Sequence, residues 1–335
     1  GLHVEKVNSK EDFIKNIKAK KAELNLTNAE LSEKSGVPLG TLNKILSGAA
    51  NGVKAQTLFK LNAALGLSDD TAVLPSDKVA AAKNDTSASA QGVKNYGFVK
   101  VAACSPAHRV ADVKYNVAEI KKSIFEARDK GVAVLVFPEC SITAYTVGDL
   151  VYQDALLNAA RAGLKDIAEY TRGVNMLIFV GLPLKKDGAI YNVAAAVFNG
   201  EVLGFTAKTF IPNYNEFYEK RHFKPSPEAV ERVRFYGKDL PFGNKIIYRS
   251  DVMENFTVAA EICEDLWVPN PPSIAHAMAG ATVLANLSAS DEVTGKDVFR
   301  RQLVISQSAK LVGGYLYADA GEGESTTDLV FTGHN

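Results

Sequence analysis

A cysteine that closes an apolar run and sits between carboxylates is placed for nucleophilic chemistry rather than for a crosslink. The chain has one at Phe256-Thr257-Val258-Ala259-Ala260-Glu261-Ile262-Cys263-Glu264-Asp265-Leu266-Trp267. A second apolar run, Val134-Leu135-Val136-Phe137, ends in Pro138-Glu139, and a lysine opens Lys208-Thr209-Phe210-Ile211-Pro212-Asn213-Tyr214. Amide hydrolysis through a covalent intermediate needs a nucleophile, a base that later returns its proton, and a positive group where the carbonyl oxygen gains charge. Cys263, Glu139 and Lys208 supply one of each. Taken singly, each has a plainer reading. A buried cysteine is usually a small apolar filler, which is how Cys104 and Cys140 read. Pro138-Glu139 is also a possible strand-end turn, and Lys208 a solvated surface charge.

These residues must be held by strands, and the region after residue 96 alternates strand and helix signals. Phe98–Cys104, Val132–Phe137, Met176–Leu182, Val193–Phe198, Phe256–Ile262, Ala281–Leu287 and Tyr315–Ala318 are short, apolar and often β-branched. Asn116–Lys130, Gly148–Thr171, Ser273–Ala279 and Lys296–Val312 carry helical periodicity. Asn199-Gly200 between two apolar runs is a hairpin signal, so the sheets are expected to be mixed. The fold class is α/β.

Before residue 68 only helical spacing is found, with Ile14, Ile17, Leu31, Val37, Leu42, Ile45, Leu58, Leu61 and Leu65 recurring as one apolar face. Thr27-Asn28-Ala29-Glu30 forms a capping box that starts a helix near Asn28, and Gly36 is placed to stop it. From residue 69 to 95 the composition shifts to Asp, Ser, Ala, Lys and Thr without period, which reads as a linker. Three segments follow: a helical domain over 1–68, a linker over 69–95, and an α/β domain over 96–335.

Bulk properties exclude several classes. The chain of 335 residues has 38 basic and 38 acidic side chains, so it has no overall attraction to nucleic acid or an anionic membrane. Three cysteines with no metal-ligand or disulfide spacing predict no metal site and fit a reducing cytoplasm. The apolar runs are too short to cross a bilayer, so no membrane partner is expected.

The three segments carrying Glu139, Lys208 and Cys263, in that chain order, resemble the nitrilase, or carbon-nitrogen hydrolase, superfamily. The resemblance implies an α-β-β-α sandwich and homo-oligomerisation. By the family's mechanism Glu139 is the base, Cys263 the nucleophile, and Lys208 with the backbone N–H of Glu264 the oxyanion partner. Glu216, eight residues after Lys208, is matched to the family's second glutamate, which orients the lysine and the substrate.

Glu261–Pro269, Ala281–Ser290, Lys208–Tyr218 and Tyr317–Asp328 resemble more closely the glutaminase domain of the glutamine-dependent NAD synthetases. That implies a glutamine pocket lined by Tyr145, Tyr214, Glu264, Trp267 and Ser290. A pocket carboxylate such as Glu264 would suit the ammonium of glutamine. Glu264 and Asp265 could instead cap a helix after Cys263. Ala144 stands where the family usually has glycine. The reaction implied needs no cofactor. ATP and deamido-NAD would belong to a synthetase domain, whose Ser-Gly-Gly-x-Asp-Ser loop is not found in these residues, and the glutaminase domain is expected to be cut short at its C-terminus. A free-standing amidase for another small amide, or a DNA-binding regulator that senses a metabolite, are the alternatives.

Leu31–Gly48, followed by residues 57–67, resembles the repressor-type helix-turn-helix family, in which the second helix reads the major groove. The candidate readers are Thr41, Asn43 and Lys44. Residues 1–60 hold ten lysines, no arginine and six acidic residues, basic but without the residue type best suited to guanine. A packing or dimerisation module is the other reading.

Overall fold

The helical spacing of Ile17, Leu31, Val37, Leu42, Ile45, Leu46, Leu61 and Leu65 closes into a small core of its own. The computed structural model describes residues 10–49, 57, 60, 61, 64, 65 and 97–335. It divides into two units, Gly1–Gly92 and Val93–Asn335. The expected linker lies outside the described residues.

In the first unit, α1 (Lys10–Glu23), α2 (Asn28–Ser35) and α3 (Leu39–Leu46) follow one another through short turns. The capping box forms as read: Thr27 Oγ1 accepts from Glu30 N at 3.2 Å and Glu30 Oε2 accepts from Thr27 N at 2.7 Å. Gly36 ends α2 with φ 63°, a left-handed conformation that costs glycine nothing. α3 buries Leu42, Ile45 and Leu46 and leaves Thr41, Asn43 and Lys44 exposed.

In the second unit a seven-stranded sheet has the order β1-β2-β3-β4-β5-β7-β6, from β1 (Val101–Ala103), β2 (Val134–Val136), β3 (Leu177–Lys186), β4 (Ala189–Phe198), β5 (Glu201–Ala207), β6 (Glu231–Phe235) and β7 (Lys238–Gly243). A four-stranded sheet has the order β11-β10-β9-β8, from β8 (Ile247–Arg249), β9 (Thr257–Ile262), β10 (Val283–Ser288) and β11 (Gly314–Asp319). Strand side chains alternate between faces. Val134, Val136, Phe179, Ala194 and Ala196 therefore meet Val258, Ala260, Ile262, Ala285, Leu287 and Ala318 between the sheets. Their odd-numbered neighbours Leu135, Val193, Ala195 and Val197 instead join Ile120 and Ile124 of α4 (Val113–Asp129) and Leu164 and Ile167 of α5 (Asp154–Tyr170). On the far side, Ala259 and Leu284 pack with Leu311 of α8 (Lys296–Leu311), beside the shorter α7 (Pro272–Met278). The layers run helix, sheet, sheet, helix, the sandwich expected. No helix among the described residues is long and apolar enough to cross a membrane.

The sheets are mixed, with β3–β4 and β4–β5 antiparallel and β1–β2, β2–β3 and β9–β10 parallel. Asn199-Gly200 turns the β4–β5 hairpin at φ 46° and 89°. Asp187-Gly188 turns β3–β4 in the same way, at φ 49° and 76°. Three differences from the sequence reading are local. The single helix expected over Gly148–Thr171 is a 3₁₀ turn, Gly148–Tyr152, then α5, because Gln153 is extended at ψ 118°. The first strand is confined to Val101–Ala103, with Phe98 exposed. β6, β7 and β8 lacked an apolar run. β6 alternates Glu231, Arg232 and Arg234 with buried Val233 and Phe235, so its charges masked it.

Candidate active site

Three strand ends bring the chemistry together. β2 leads into Pro138-Glu139, β5 into Lys208 and β9 into Cys263. The Glu139 turn passes so close under β3 that a Cβ on Gly181 would lie 2.4 Å from Cys140 N and 2.6 Å from Pro138 O. Only glycine fits there.

Lys208 is fully buried, and its Nζ donates to Glu139 Oε1 and to Glu219 Oε1, each at 2.7 Å. Glu139 also accepts from Asn192 Nδ2 at 2.5 Å and, through Oε2, from Ala289 N at 3.0 Å. All of the assigned contacts to its carboxylate thus come from fixed donors. Burial alone would push the Lys208 ammonium down, but Glu139 and Glu219 carry it well above its ordinary range. A lysine so flanked stays charged. Burial, opposed by Lys208 and helped by Glu139, raises the Glu219 carboxyl to about 7.

The second glutamate is a correction. Glu219, eleven residues after Lys208, holds the lysine, and Glu216 does not. Glu219 opens the one-turn helix α6 (Glu219–His222), where its N–H bonds to Pro212 O and its side chain turns inward. Glu216 lies in the loop before that helix and is half-buried.

Cys263 begins a 3₁₀ turn at φ 46°, a left-handed backbone that an L side chain adopts only under constraint. Its N–H donates to Asn286 Oδ1 at 3.2 Å. Burial pushes the thiol well up, Glu139 adding to the rise and Lys208 opposing it. The resting sulfur is therefore protonated, with a carboxylate and an ammonium as its charged neighbours. Asp265 ties this turn to the lysine strand, accepting from Thr209 N at 3.0 Å, Phe210 N at 2.8 Å and Ile262 N at 3.0 Å. Of the two carboxylates after Cys263, Asp265 is thus the cap.

Glu264 takes another role. It accepts from Tyr214 Oη at 2.8 Å, and burial raises its carboxyl. Lys208 and Lys296 oppose that rise, so Glu264 lies within the field of both cations. Lys296 sits 5.5 Å from the Trp267 ring centroid and 5.7 Å from that of Phe217, and it pairs with Asp291. Ser290 is buried, its N–H on Asp319 Oδ1 at 2.8 Å and its Oγ 3.4 Å from Arg300 Nη2. Tyr145 Oη donates to Glu219 Oε1 at 2.8 Å, and Tyr145 N to Glu324 Oε1 at 2.6 Å. Ala144 before it has φ 67°, which explains why glycine would suit that position.

Tyr145 is thus joined directly to the lysine–carboxylate cluster, Tyr214 and Glu264 to each other, and Trp267 to Lys296. Glu216 is left out. Sequence reasoning missed Glu219, Asn192, Asn286 and Glu324, and read Asp265 only as a possible cap. A signal existed for two: Asn192 and Asn286 interrupt the apolar runs Ala189–Phe198 and Val283–Ser288, and a polar residue inside a buried strand is informative. In the first unit, Asn43 Oδ1 accepts from Asn28 Nδ2 at 2.8 Å, bracing α3 against the start of α2.

Comparison with known proteins gives the family of each unit. Residues 17–71 match the helix-turn-helix family and residues 100–315 match the carbon-nitrogen hydrolase family. The glutamine-dependent NAD(+) synthetase of Mycobacterium tuberculosis is 40% identical over 238 residues, 71% of this chain and 35% of the relative. The chain thus spans about a third of the length of the curated relatives it matches. A glutamine-dependent NAD(+) synthetase from Cytophaga hutchinsonii superposes with a TM-score of 0.61 at 30% identity, covering 68% of this chain and 37% of that one. An amidase of the nitrilase superfamily from Nesterenkonia shares the fold, with a TM-score of 0.54 at 20% identity over 70% of this chain and 79% of its own. Since the hydrolase match takes in well over half of the residues and the Glu139–Lys208–Cys263 strand ends converge within it, the chain belongs to the carbon-nitrogen hydrolase family.

Proposed function

We propose that residues 93–335 hydrolyse the side-chain amide of glutamine through a Cys263 thioester, and that the ammonia released serves glutamine-dependent NAD synthesis. The observation that carries the reading is the buried Lys208 clasped by Glu139 and Glu219, with a protonated Cys263 beside them.

A neutral thiol is a weak nucleophile, so its proton must leave as sulfur attacks. Glu139 takes that proton while Cys263 Sγ bonds to the amide carbon. The carbonyl oxygen becomes an oxyanion, held by Lys208 and the backbone N–H of Glu264. As the tetrahedral species collapses, the carbon–nitrogen bond breaks and Glu139 returns the proton to the nitrogen, releasing ammonia. Water then attacks the thioester with Glu139 again as base, and glutamate leaves as the thiol is restored. Side chains and water suffice for this cycle. ATP and deamido-NAD would be substrates of the synthetase that consumes the ammonia.

Glutamine is recognised by its α-substituents. Glu264, oriented by Tyr214, meets the ammonium, and Lys296 beside Trp267 offers a cation for the carboxylate. Tyr145 and Ser290 complete the wall. In the test, purified protein is incubated with glutamine and glutamate and ammonia are followed, with Cys263→Ala alongside. Equal release of both products, absent in the variant, supports the reading. Turnover of other small amides with none of glutamine would favour a free-standing amidase.

A second reading belongs to the first unit. Thr41, Asn43 and Lys44 share the exposed face of α3, which supports contact with DNA. Binding that weakens steeply with salt and is reduced by Lys44→Ala is expected in a fluorescence anisotropy titration. In the second unit, the exposed Val298, Phe299 and Ile305 of α8 support a homo-oligomer.

A further inference from the structure

We infer that Asn286 and Tyr315 are positioning residues that hold the Cys263 backbone in its left-handed conformation, with Glu261 fixing the direction of the hydrogen bonds that do so. The inference rests on Cys263 being the attacking group. It adds a set of buried and half-buried residues that support the nucleophile turn.

With Glu261 ionised, the chain of contacts has one polarity. Glu261, on β9 two residues before Cys263, is buried, and a carboxylate can only accept. One oxygen takes the N–H of Ser273 at 2.8 Å, and the other takes the hydroxyl proton of Tyr315. The Tyr315 oxygen, its proton committed, has lone pairs left and accepts from Asn286 Nδ2 at 3.1 Å. The Asn286 amide is thereby turned so that Oδ1 faces the nucleophile turn. There it accepts from Cys263 N at 3.2 Å and from Ser288 Oγ at 2.7 Å. A flipped amide would set an NH2 against the Cys263 N–H, leaving two donors facing each other.

This matters because Cys263 has φ 46°. The left-handed backbone is costly for an L residue, and a buried N–H without a partner would add to that cost. Asn286 removes the second cost and so favours the strained conformation over an extended one. β10 also serves the base: Ser288 O accepts from Glu139 N at 3.2 Å, and Ala289 N donates to Glu139 Oε2 at 3.0 Å. A single strand end thus sets nucleophile and base in register. The anchor reaches the outer layer through Ser273, whose Oγ accepts from Gln307 Nε2 of α8 at 2.9 Å.

The test compares the full chain with Tyr315→Phe and Glu261→Gln. Tyr315→Phe removes the acceptor that orients Asn286. Glu261→Gln keeps the shape but ends the one-way polarity, because an amide can also donate. The readouts are the rate at which iodoacetamide alkylates Cys263, the kcat and KM for glutamine, and the thermal midpoint. Tyr315→Phe is expected to slow alkylation and kcat together by on the order of 10-fold or more at unchanged KM, with Glu261→Gln smaller in the same direction. Alkylation and kcat at wild-type rates, with only the thermal midpoint lowered, would overturn the inference in favour of a structural network. Alkylation needs no substrate, so the comparison stands even if the wild-type chain ignores glutamine, an outcome that would count against the substrate reading alone.

Discussion

At the scale of single residues, the centre of the site is one buried cation between two buried carboxylates. Such a cluster carries a pH dependence whose sign follows from Glu219. Its carboxyl rises from the ordinary 4.5 to about 7 in the folded protein, through burial against the pull of Lys208. The folded chain keeps a proton that the unfolded chain gives up over that window. Its contribution to stability is therefore complete below pH 4.5 and is lost as pH rises to about 7. Glu219→Gln is expected to make the fall in stability between these values shallower, as read by denaturant unfolding at a series of pH values. It should not abolish the fall, because burial also raises Asp319 to about 7 and Asp265 to about 8. An unchanged slope would mean that Glu219 does not hold that proton. Glu264 gives a second prediction. Glu264→Gln keeps the contact with Tyr214 but removes the charge opposite the ammonium, so KM for glutamine should rise by roughly 10-fold to 100-fold. An uncharged amide should be affected far less. Equal losses on both substrates would assign Glu264 to the chemistry instead.

At the scale of elements, the site depends on how closely strand ends approach. Gly181 on β3 is the tightest point, with no room for a methyl group against the Pro138–Cys140 backbone. Gly181→Ala must push the Glu139 turn away from Lys208. A loss of activity on the order of 100-fold is expected, with a lower thermal midpoint, whereas retained activity would show that the turn can shift without harm. The same closeness explains what could be read from the sequence. Apolar runs ending in Glu139 and Cys263 were legible because the buried strands β2 and β9, each parallel to a neighbour, leave a continuous signal. The edge strands β6 and β8 were not, nor was β7 beside β6, since these strands are short and β6 alternates charge with apolar residues. Glu216 and Glu219 lie in one segment, and no spacing rule distinguishes them. The turn that sends one inward depends on Pro212 O receiving the Glu219 N–H. Asn286 had a signal, a polar residue amid Leu284, Ala285 and Leu287, but its partners Tyr315 and Cys263 come from β11 and from the end of β9.

At the scale of the whole molecule, two units with separate cores share one chain. The hydrolase unit holds a complete Glu139–Lys208–Glu219–Cys263 cluster, and relatives of about three times the matched length are named as glutamine-dependent NAD(+) synthetases. The helix-turn-helix unit shares no residue with that cluster, so Lys44→Ala should leave hydrolysis unaffected. The proposed function turns on a covalent step at Cys263. Its most direct test is mass analysis of the protein quenched in acid during turnover of glutamine, followed by mapping of the modified peptide. A glutamyl group on the Cys263 peptide, bound through an alkali-labile thioester and absent from Cys263→Ala, is the predicted result. Turnover of glutamine by Cys263→Ala at the wild-type rate, with no adduct on either protein, would contradict the account.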